Sequence, residues 1–323
     1  MGRKRIIGIL SNLFDGANGY GGKLNTAAER YGFEIISLND DNIKQIGECE
    51  VIFGNIPPEL LCEAVCLKWL ACPFAGVEKY INGELYASGE VTLTNSSGAY
   101  GVSIAESMIA GILVLFRRFD KHMQNQNKRL WGPQFPVRSI YGSKITVVGM
   151  GDIGSCFAER AAALGAEVTG VRRKDTPKPE YLARQFTSSR LDETLPEAGV
   201  VALCLPSTVE TARIIDKKRI ALMNPSTVIA NVGRGSAIDH DALVSALNEG
   251  RIGGAFLDVT DPEPLPPAHP LWTAKNCVIT PHVSGNFTLE LTRGRIAEIF
   301  LRNLDLYAEE KPLLHVVDKN SGY

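Results

Sequence analysis

The chain has 323 residues, a formal net charge of −2 at pH 7 and 45% hydrophobic residues. This balance is typical of a globular protein, and the length predicts about two domains. Nucleic-acid-binding surfaces are usually basic, and a membrane span needs an apolar run of roughly 18 residues. The sequence has neither feature, so we expect no nucleic-acid partner and no membrane anchor.

The cysteines do not form a recognisable pattern. There are seven of them, an odd number, and no C-x-x-C pair occurs. Cys62 and Cys66 could share a helix face, but no nearby histidine pair would complete a zinc site. We therefore expect reduced thiols, no metal and a cytoplasmic protein.

Short apolar runs alternate with amphipathic stretches through the first third of the chain, which predicts a parallel sheet flanked by helices. Leu24–Tyr31 and Glu59–Val65 have the spacing of helices. Strands are expected at Ile6–Leu10, Phe33–Leu38, Val51–Phe53, Leu67–Ala71 and Val91–Thr94.

Two longer segments follow. Ser103–Arg118 is strongly apolar but too short to span a bilayer, so we expect a buried connecting helix. Phe119–Tyr141 is polar, carries aromatic residues and has little periodicity. It could be an interface arm or a long surface loop. Near the end, Glu290–Tyr307 is an amphipathic helix candidate, after which Pro312–Val317 adds a strand or lies on the first domain.

The second strand series begins with a glycine motif. The run KITVVGMGDIG, from Lys144, has the composition of a buried strand followed by glycines in the G-x-G-x-x-G spacing. Helix-like sequence follows at Ser155–Leu164, so the motif has the context of a dinucleotide site. Six strands of a doubly wound sheet are expected at Ile145–Val148, Glu167–Val171, Val200–Cys204, Val228–Asn231, Ala255–Asp258 and Cys277–Ile279.

Each glycine of the motif has an expected task. Gly149 would permit the tight turn, Gly151 would admit a pyrophosphate, and Gly154 would let helix and strand pack closely. The phosphates would sit at the helix N-terminus, where free N–H groups and the helix dipole favour negative charge.

The residue after the second strand of this series indicates which dinucleotide binds. An NAD site usually places an acid there to bind the ribose hydroxyls, but here Arg172 occupies the position and Arg173 and Lys174 follow it. A guanidinium binds a 2′-phosphate well. The sequence therefore predicts a preference for NADP, with NAD still possible; the alternative is a solvated basic turn.

Charged residues follow three other strands of this series. His282 follows the last strand, Arg234 stands between two glycines, and Asp258, Asp261 and Glu263 follow the strand between them. The carboxyl ends of parallel strands share one edge, so we expect these groups to meet there. A histidine can transfer a proton, a neighbouring acid can favour its charged form, and an arginine can hold a carboxylate.

At this point a resemblance covers essentially the whole chain. The stretches GMGDIG, NVGRG, LDVTDPEPLPPAHPLW and TPHVSG, in this order, resemble the D-isomer-specific 2-hydroxyacid dehydrogenases. The resemblance implies an α/β protein with two doubly wound, Rossmann-like parallel-sheet domains around a cleft. Residues 1–104 plus 286–323 would form a flavodoxin-like substrate domain, and residues 105–285 the NAD(P)-binding domain. It also implies a homodimer, with residues 119–141 as the candidate arm.

The resemblance also assigns roles. Arg234, Glu263 and His282 would be the catalytic residues, with Arg234 and His282 also binding substrate alongside the backbone of Ala75, Gly76 and Val77. Asp258 would contact the nicotinamide carboxamide. The expected cofactor-binding set is Gly149, Gly151, Asp152, Ile153, Gly154, Arg172, Arg173, Pro206, Thr211, Val232, Asp258 and Ser103.

The implied reaction is reduction of a small 2-oxo acid, such as glyoxylate or hydroxypyruvate, to a D-2-hydroxy acid. Two alternatives stay open. Cofactor-sensing corepressors resemble these enzymes, and so do phosphoglycerate, formate and phosphite dehydrogenases. Cys204 stands where histidine is frequent, and Glu78 stands where aspartate is often found.

Overall fold

The structure is a computed structural model, which describes residues 4–15, 19–285 and 287–319. The chain divides into two compact units. The first combines Met1–Tyr100 with Phe287–Tyr323, and the second is Gly101–Asn286. Across the described ranges, no helix is both long and apolar enough to cross a membrane.

Most consecutive strands are separated by an α-helix or by a short 3-10 helix. The first part of the first unit contains β1 (Arg5–Leu10), α1 (Tyr20–Tyr31), β2 (Phe33–Ser37), β3 (Val51–Gly54), β4 (Trp69–Ala71) and β5 (Thr92–Thr94). The second unit begins with α2 (Gly101–Phe116), α3 (Phe119–Asn127), β6 (Lys144–Val148), α4 (Asp152–Ala163), β7 (Glu167–Arg172) and β8 (Arg184–Thr187). It continues with β9 (Val200–Leu203), α5 (Lys217–Leu222), β10 (Val228–Asn231), α6 (His240–Asn248), β11 (Gly254–Leu257) and β12 (Cys277–Ile279), before α7 (Glu290–Ala308) returns to the first unit.

The first unit is built on a parallel sheet of five strands in the order β2-β1-β3-β4-β5. Its central strands are fully buried, as expected where helices cover both faces of a parallel sheet. The last helix completes this core. Phe300 of α7 stacks on Trp69 at 5.3 Å and lies 4.5 Å from Phe53, measured between ring centroids.

The second unit has a parallel sheet of seven strands in the order β12-β11-β10-β9-β6-β7-β8. The chain runs outward from β6 to β8 and then from β9 to β12 on the other side. The carboxyl ends of β6 and β9 therefore form the topological switch point, where open α/β sheets bind ligands. Helix α2 covers this sheet closely because Gly111 has no side chain; a Cβ there would lie 2.4 Å from the Phe256 ring.

The two parallel α/β sheets confirm the predicted fold class, and the eleven strands expected in the two strand series are present within one or two residues. In the described part of the chain, Pro312–Val317 forms no strand and contributes only an isolated bridge from Val316 to Thr94. Three elements differ from the prediction. Residues 58–63 form a 3-10 helix, with Pro57 at its N-cap and Pro58 as its first residue, where a helix was expected over Glu59–Val65. The segment 119–141, expected to be irregular, begins with the polar helix α3. The edge strand β8 was missed, since its side chains are only half-buried and carry no apolar alternation.

Candidate active site in the second unit

The glycine turn after β6 has the geometry expected of a pyrophosphate cradle. Gly149 has a φ of 98°, and a Cβ there would lie 2.5 Å from the Cys204 carbonyl oxygen. A Cβ at Gly154 would lie 1.9 Å from the Gly149 oxygen, so α4 can approach the strand only without one. A Cβ at Gly151 would meet nothing within 4 Å. The turn is therefore open at the one glycine where a phosphate would approach, and the first turn of α4 has N–H groups to offer it.

A cationic strand end lies beside this cradle. The Gly149 N–H donates to the Val171 carbonyl at 2.9 Å, which ties the turn to the end of β7. Arg172 follows immediately, half-buried, and Arg173 is exposed. Within the described ranges no hydrogen bond or ion pair engages the Arg172 guanidinium, so its donors are available to an anion.

The loop after β9 forms the other wall of the switch point. The Thr211 hydroxyl donates to the Pro206 carbonyl at 2.7 Å and accepts from the Thr208 N–H at 2.9 Å, so this threonine closes the turn on itself. Cys204 begins the loop, and burial raises the pKa of its thiol to about 12. This thiol stays protonated at neutral pH and supplies no acid–base chemistry there. Val232, at the end of the neighbouring strand, is buried and donates to the Leu203 carbonyl.

The loop that presents Arg234 is packed between two backbones. A Cβ at Gly233 would lie 2.5 Å from the Leu205 oxygen, and one at Gly235 would lie 2.0 Å from the Thr260 carbonyl carbon. Asn231 supports the same loop, since its side chain accepts from the Gly233 N–H at 3.1 Å and donates to the Arg234 carbonyl at 2.9 Å. The two glycines flanking Arg234 therefore place it between the loops that follow β9 and β11.

Glu263 and His282 form a hydrogen-bonded pair. The Nδ1 atom of His282 lies 2.8 Å from Oε2 of Glu263, and the second oxygen, Oε1, accepts from the Thr260 N–H at 2.9 Å. Because a carboxylate accepts, we place the hydrogen on Nδ1, which leaves Nε2 for a substrate. The His282 side chain is 50% exposed, so the ring is held at one end and open at the other.

The backbone around His282 is held in an unusual conformation. His282 has a φ of 54°, in the left-handed region that residues with a Cβ seldom adopt. Its N–H donates to the Asp258 carbonyl at 2.8 Å. The Asp258 carboxylate, only 2% exposed, accepts from the Thr280 hydroxyl and from the N–H groups of Val283 and Ser284 at 2.6, 2.9 and 3.0 Å. Asp258 therefore holds the His282 loop from both sides, a task that sequence reasoning did not predict.

Helix α2 secures the far side of the same loop. The Ser103 hydroxyl donates to the Ser284 carbonyl at 2.8 Å, and the Ser107 and Ser284 hydroxyls lie 2.8 Å apart. Ser103, predicted to approach the cofactor, thus has its hydroxyl hydrogen engaged behind His282. The paired serines give no sequence signal, because serine is common on helices that play no part in a site.

A pocket of about 440 Å³ opens beside the pair. Its lining includes the polar residues Asp258, Glu263 and His282 and the apolar residues Leu265 and Trp272. The site thus combines a few oriented polar groups with an apolar wall, as small-molecule sites usually do.

The remaining predicted substrate residues belong to the first unit. The loop after β4 contains Ala75, Gly76 and Val77, and it is held by the Asn95 side chain, which donates to the Ala75 carbonyl at 2.9 Å. In the described part of the chain, none of the N–H groups of these three residues donates to a protein acceptor. Three successive free N–H groups are the donors from which anion-binding nests are made.

Comparison with known proteins places these observations in a family. Residues 109–284 match the family described as "D-isomer specific 2-hydroxyacid dehydrogenase, NAD binding domain". The chain belongs to this family. It is 34% identical to a glyoxylate reductase of Thermofilum pendens over 261 residues, which are 79% of this chain and 76% of that relative.

Solved structures of this family have the same fold as this chain. A D-isomer specific 2-hydroxyacid dehydrogenase family protein from Aeromonas salmonicida superposes with a TM-score of 0.86 at 29% identity, covering 98% of this chain and 99% of that one. A D-isomer specific 2-hydroxyacid dehydrogenase from Xanthobacter autotrophicus, solved with NADPH and MES, has a TM-score of 0.80 at 26% identity, with 99% and 100% covered. The protein is therefore an oxidoreductase, and its second unit is the NAD(P)-binding domain.

Proposed function

We propose that this protein reduces a small 2-oxo acid to a D-2-hydroxy acid, with NADPH as the preferred reductant. The observation that carries the proposal is the Glu263–His282 pair, joined at 2.8 Å with its second ring nitrogen left for a substrate. Membership of the hydroxyacid dehydrogenase family supports the reaction class. The glyoxylate reductase activity named for a relative supports a small substrate.

His282 is the proton donor in this proposal. In the charged ring, Nδ1–H donates to Glu263 and Nε2–H donates to the carbonyl oxygen of the substrate, which stabilises the growing negative charge. Transfer of that proton gives the product hydroxyl and leaves a neutral ring with its hydrogen on Nδ1. Glu263 keeps a hydrogen on Nδ1 of His282 before and after the transfer, because the Thr260 N–H fixes the carboxylate through its second oxygen.

The substrate carboxylate is assigned to two sets of donors. Arg234 offers a guanidinium, which matches a carboxylate in charge and in shape. The N–H groups of Ala75, Gly76 and Val77 offer main-chain donors. A carboxylate bound by Arg234 orients the neighbouring carbonyl carbon for attack before the reaction begins. The N–H groups of the first unit remain a predicted contact.

The glycine cradle fits a dinucleotide. Gly149, Gly151 and Gly154 would hold the pyrophosphate at the N-terminus of α4, with Asp152 and Ile153 in the first turn. The bound cofactor supplies a hydride to the C2 carbon of the substrate. Pro206 and Thr211 remain predicted contacts beside the ribose and phosphates, Val232 a predicted cofactor contact, and Asp258 a predicted contact of the carboxamide.

The preference for NADP rests on Arg172 and Arg173. An acid at this strand end would repel a 2′-phosphate, whereas the available Arg172 guanidinium can bind it. We predict that Arg172→Asp lowers kcat/KM for NADPH by about a hundredfold. The variant loses one charge-assisted contact with the 2′-phosphate, and its new carboxylate repels that phosphate. The control is kcat/KM for NADH, which should rise or stay constant in the same variant. An equal loss with both cofactors contradicts the assignment.

The proposed substrates are glyoxylate and hydroxypyruvate. A panel of 2-oxo acids, each assayed with NADPH and with NADH, tests the reaction and the cofactor preference together. Turnover of at least one small 2-oxo acid with NADPH supports the proposal. Cofactor binding without turnover of any member of the panel would instead favour a cofactor-sensing protein.

We further propose a cytoplasmic homodimer that uses the segment 119–141 as its arm. Large apolar side chains cluster there in exposed positions: Trp131 is fully exposed and Phe135 is 76% exposed. Exposed apolar patches of this kind mark interfaces. Sedimentation of the wild-type chain beside a Trp131→Ser, Phe135→Ser variant tests this: a dimer that becomes a monomer supports it, and a wild-type monomer overturns it.

A further inference from the structure

The second unit contains a buried histidine, His240, that the proposed reaction does not use. His240 is the first residue of α6 and is only 9% exposed. The helix start does not depend on its side chain, because Asp239 caps α6 by accepting from the Ala242 N–H at 3.0 Å. A large, titratable ring is therefore buried at a position where helix geometry does not require it.

One ring nitrogen makes a specific contact. Nδ1 of His240 lies 3.2 Å from the carbonyl oxygen of Asp261. A carbonyl can only accept, so Nδ1 must carry the hydrogen. In the neutral ring Nε2 is then a bare lone pair, and in the described ranges this buried atom has no hydrogen-bond partner.

Asp261 belongs to the short loop that presents Glu263. The loop is braced internally, because Thr260 donates its N–H to Glu263 and its hydroxyl to the Pro262 carbonyl at 3.0 Å. Gly235 packs against the Thr260 end of the loop. His240 supplies a polar link from α6 to the middle of the same loop, two residues before Glu263.

We infer that His240 is a positioning residue, whose Nδ1–H holds the Asp261 carbonyl so that the Glu263 carboxylate stays directed at His282. The inference rests on the proposed function, since it takes the Glu263–His282 pair to be the working proton donor. His240 touches neither Glu263 nor His282 in this arrangement. It acts through the loop backbone.

The burial of His240 favours its neutral form. Burial lowers the pKa of His240, the neighbouring His269 lowers it further, and the Asp261 and Asp239 groups oppose this without reversing it. His269 faces the ring at 6.1 Å between centroids. Folding lowers this pKa. The contribution of the neutral ring to the stability of the folded state is therefore complete above the pKa of the unfolded chain, and it is lost as the pH falls through the pKa of the folded protein. A protonated ring would also bury an Nε2–H without an acceptor.

Two amides distinguish the contact from mere packing. His240→Asn places an N–H near the position of Nδ1, whereas His240→Gln places it near Nε2, beyond reach of the Asp261 carbonyl. We expect His240→Gln to lower kcat about tenfold with KM for NADPH unchanged, since misplacing a catalytic group by a fraction of an ångström carries penalties of this size. His240→Asn should stay within about threefold of the wild type.

A double-mutant cycle separates positioning from general damage. If His240 acts through Glu263, then His240→Gln should cost little more once Glu263→Gln has removed the carboxylate. An equal further loss in the Glu263→Gln background, or equal activity of the Asn and Gln variants, overturns the inference. Failure of the proposed function looks different: wild-type protein would turn over no 2-oxo acid, and Glu263→Gln and His282→Ala would change nothing.

Discussion

The two units share one architecture and offer different chemistry. Both are parallel sheets with loops at the carboxyl ends of the strands. In the second unit, the loops after β10, β11 and β12 carry Arg234, Glu263 and His282, each braced by named hydrogen bonds. In the first unit, the loop after β4 offers main-chain N–H groups from small residues. The same fold thus carries the predicted site groups as side chains in one unit and as backbone in the other, and we expect the two to differ in their tolerance to substitution.

The largest expected effect tests the second unit. We predict that His282→Ala lowers kcat for reduction about a thousandfold, the size usual for a general acid. The Kd for NADPH should stay the same, because the cradle lies at β6. His315→Ala in the first unit, whose side chain is exposed, is the matched control and should keep wild-type turnover. Near-normal activity of His282→Ala would contradict the claim that the second unit contributes through its side chains.

A second substitution sharpens the contrast between side chain and backbone. We expect Arg234→Ala to raise KM for the 2-oxo acid about a hundredfold with a smaller change in kcat, because one charge-assisted contact is lost. Ala75→Ser is its counterpart in the first unit and should change KM by no more than about twofold, since the donors there are main-chain. Steady-state kinetics of both variants settle the point; a large effect at Ala75 would show that its side chain matters.

The smallest effect concerns stability and lies in the first unit. Burial by itself would raise the pKa of Glu50, but hydrogen bonds from Arg5 and Tyr307 outweigh it and hold this pKa below its usual value. Its contribution is therefore present above the unfolded pKa and lost as the pH falls through the lower folded one. Glu50→Gln should lower Tm by about 2–4 °C at pH 7 and by almost nothing near pH 3.

The exposed pair of Lys4 and Glu34 provides a control for that measurement. Its side chains are 78% and 52% exposed, so solvent screens the interaction. Glu34→Gln should leave Tm unchanged within about 1 °C. A fall as large as that of Glu50→Gln would mean that burial of the ion pair is not what distinguishes the two.

Much of the second unit could be predicted from residue types. The apolar runs placed the strands, and the glycine spacing predicted the tight turn at Gly149 and the close contact at Gly154, both of which the structure shows. Glu263 and His282 were expected at one sheet edge and lie there within hydrogen-bonding distance. These signals exist because a strand, a glycine turn and a titratable group each need particular side chains.

Other features left no such signal. The free N–H groups at Ala75, Gly76 and Val77 belong to the backbone, which every residue carries, so only the resemblance to a family pointed to them. Asp258 and Ser103 hold the His282 loop through contacts that form only when distant elements meet. His240 looked like an ordinary polar helix residue, because its contact with Asp261 joins positions 21 residues apart.

The route of the chain through the two units has a consequence for synthesis. The second unit is one continuous segment, Gly101–Asn286, whereas the first needs α7 from the far end of the sequence. Phe300 closes the aromatic cluster of Phe53 and Trp69, residues translated 247 and 231 positions earlier. The cofactor domain is therefore translated in full before α7 is made. Until then, the aromatic face of the first unit's sheet is uncovered. Nascent chains halted before Phe300 should therefore be the form that most needs chaperones.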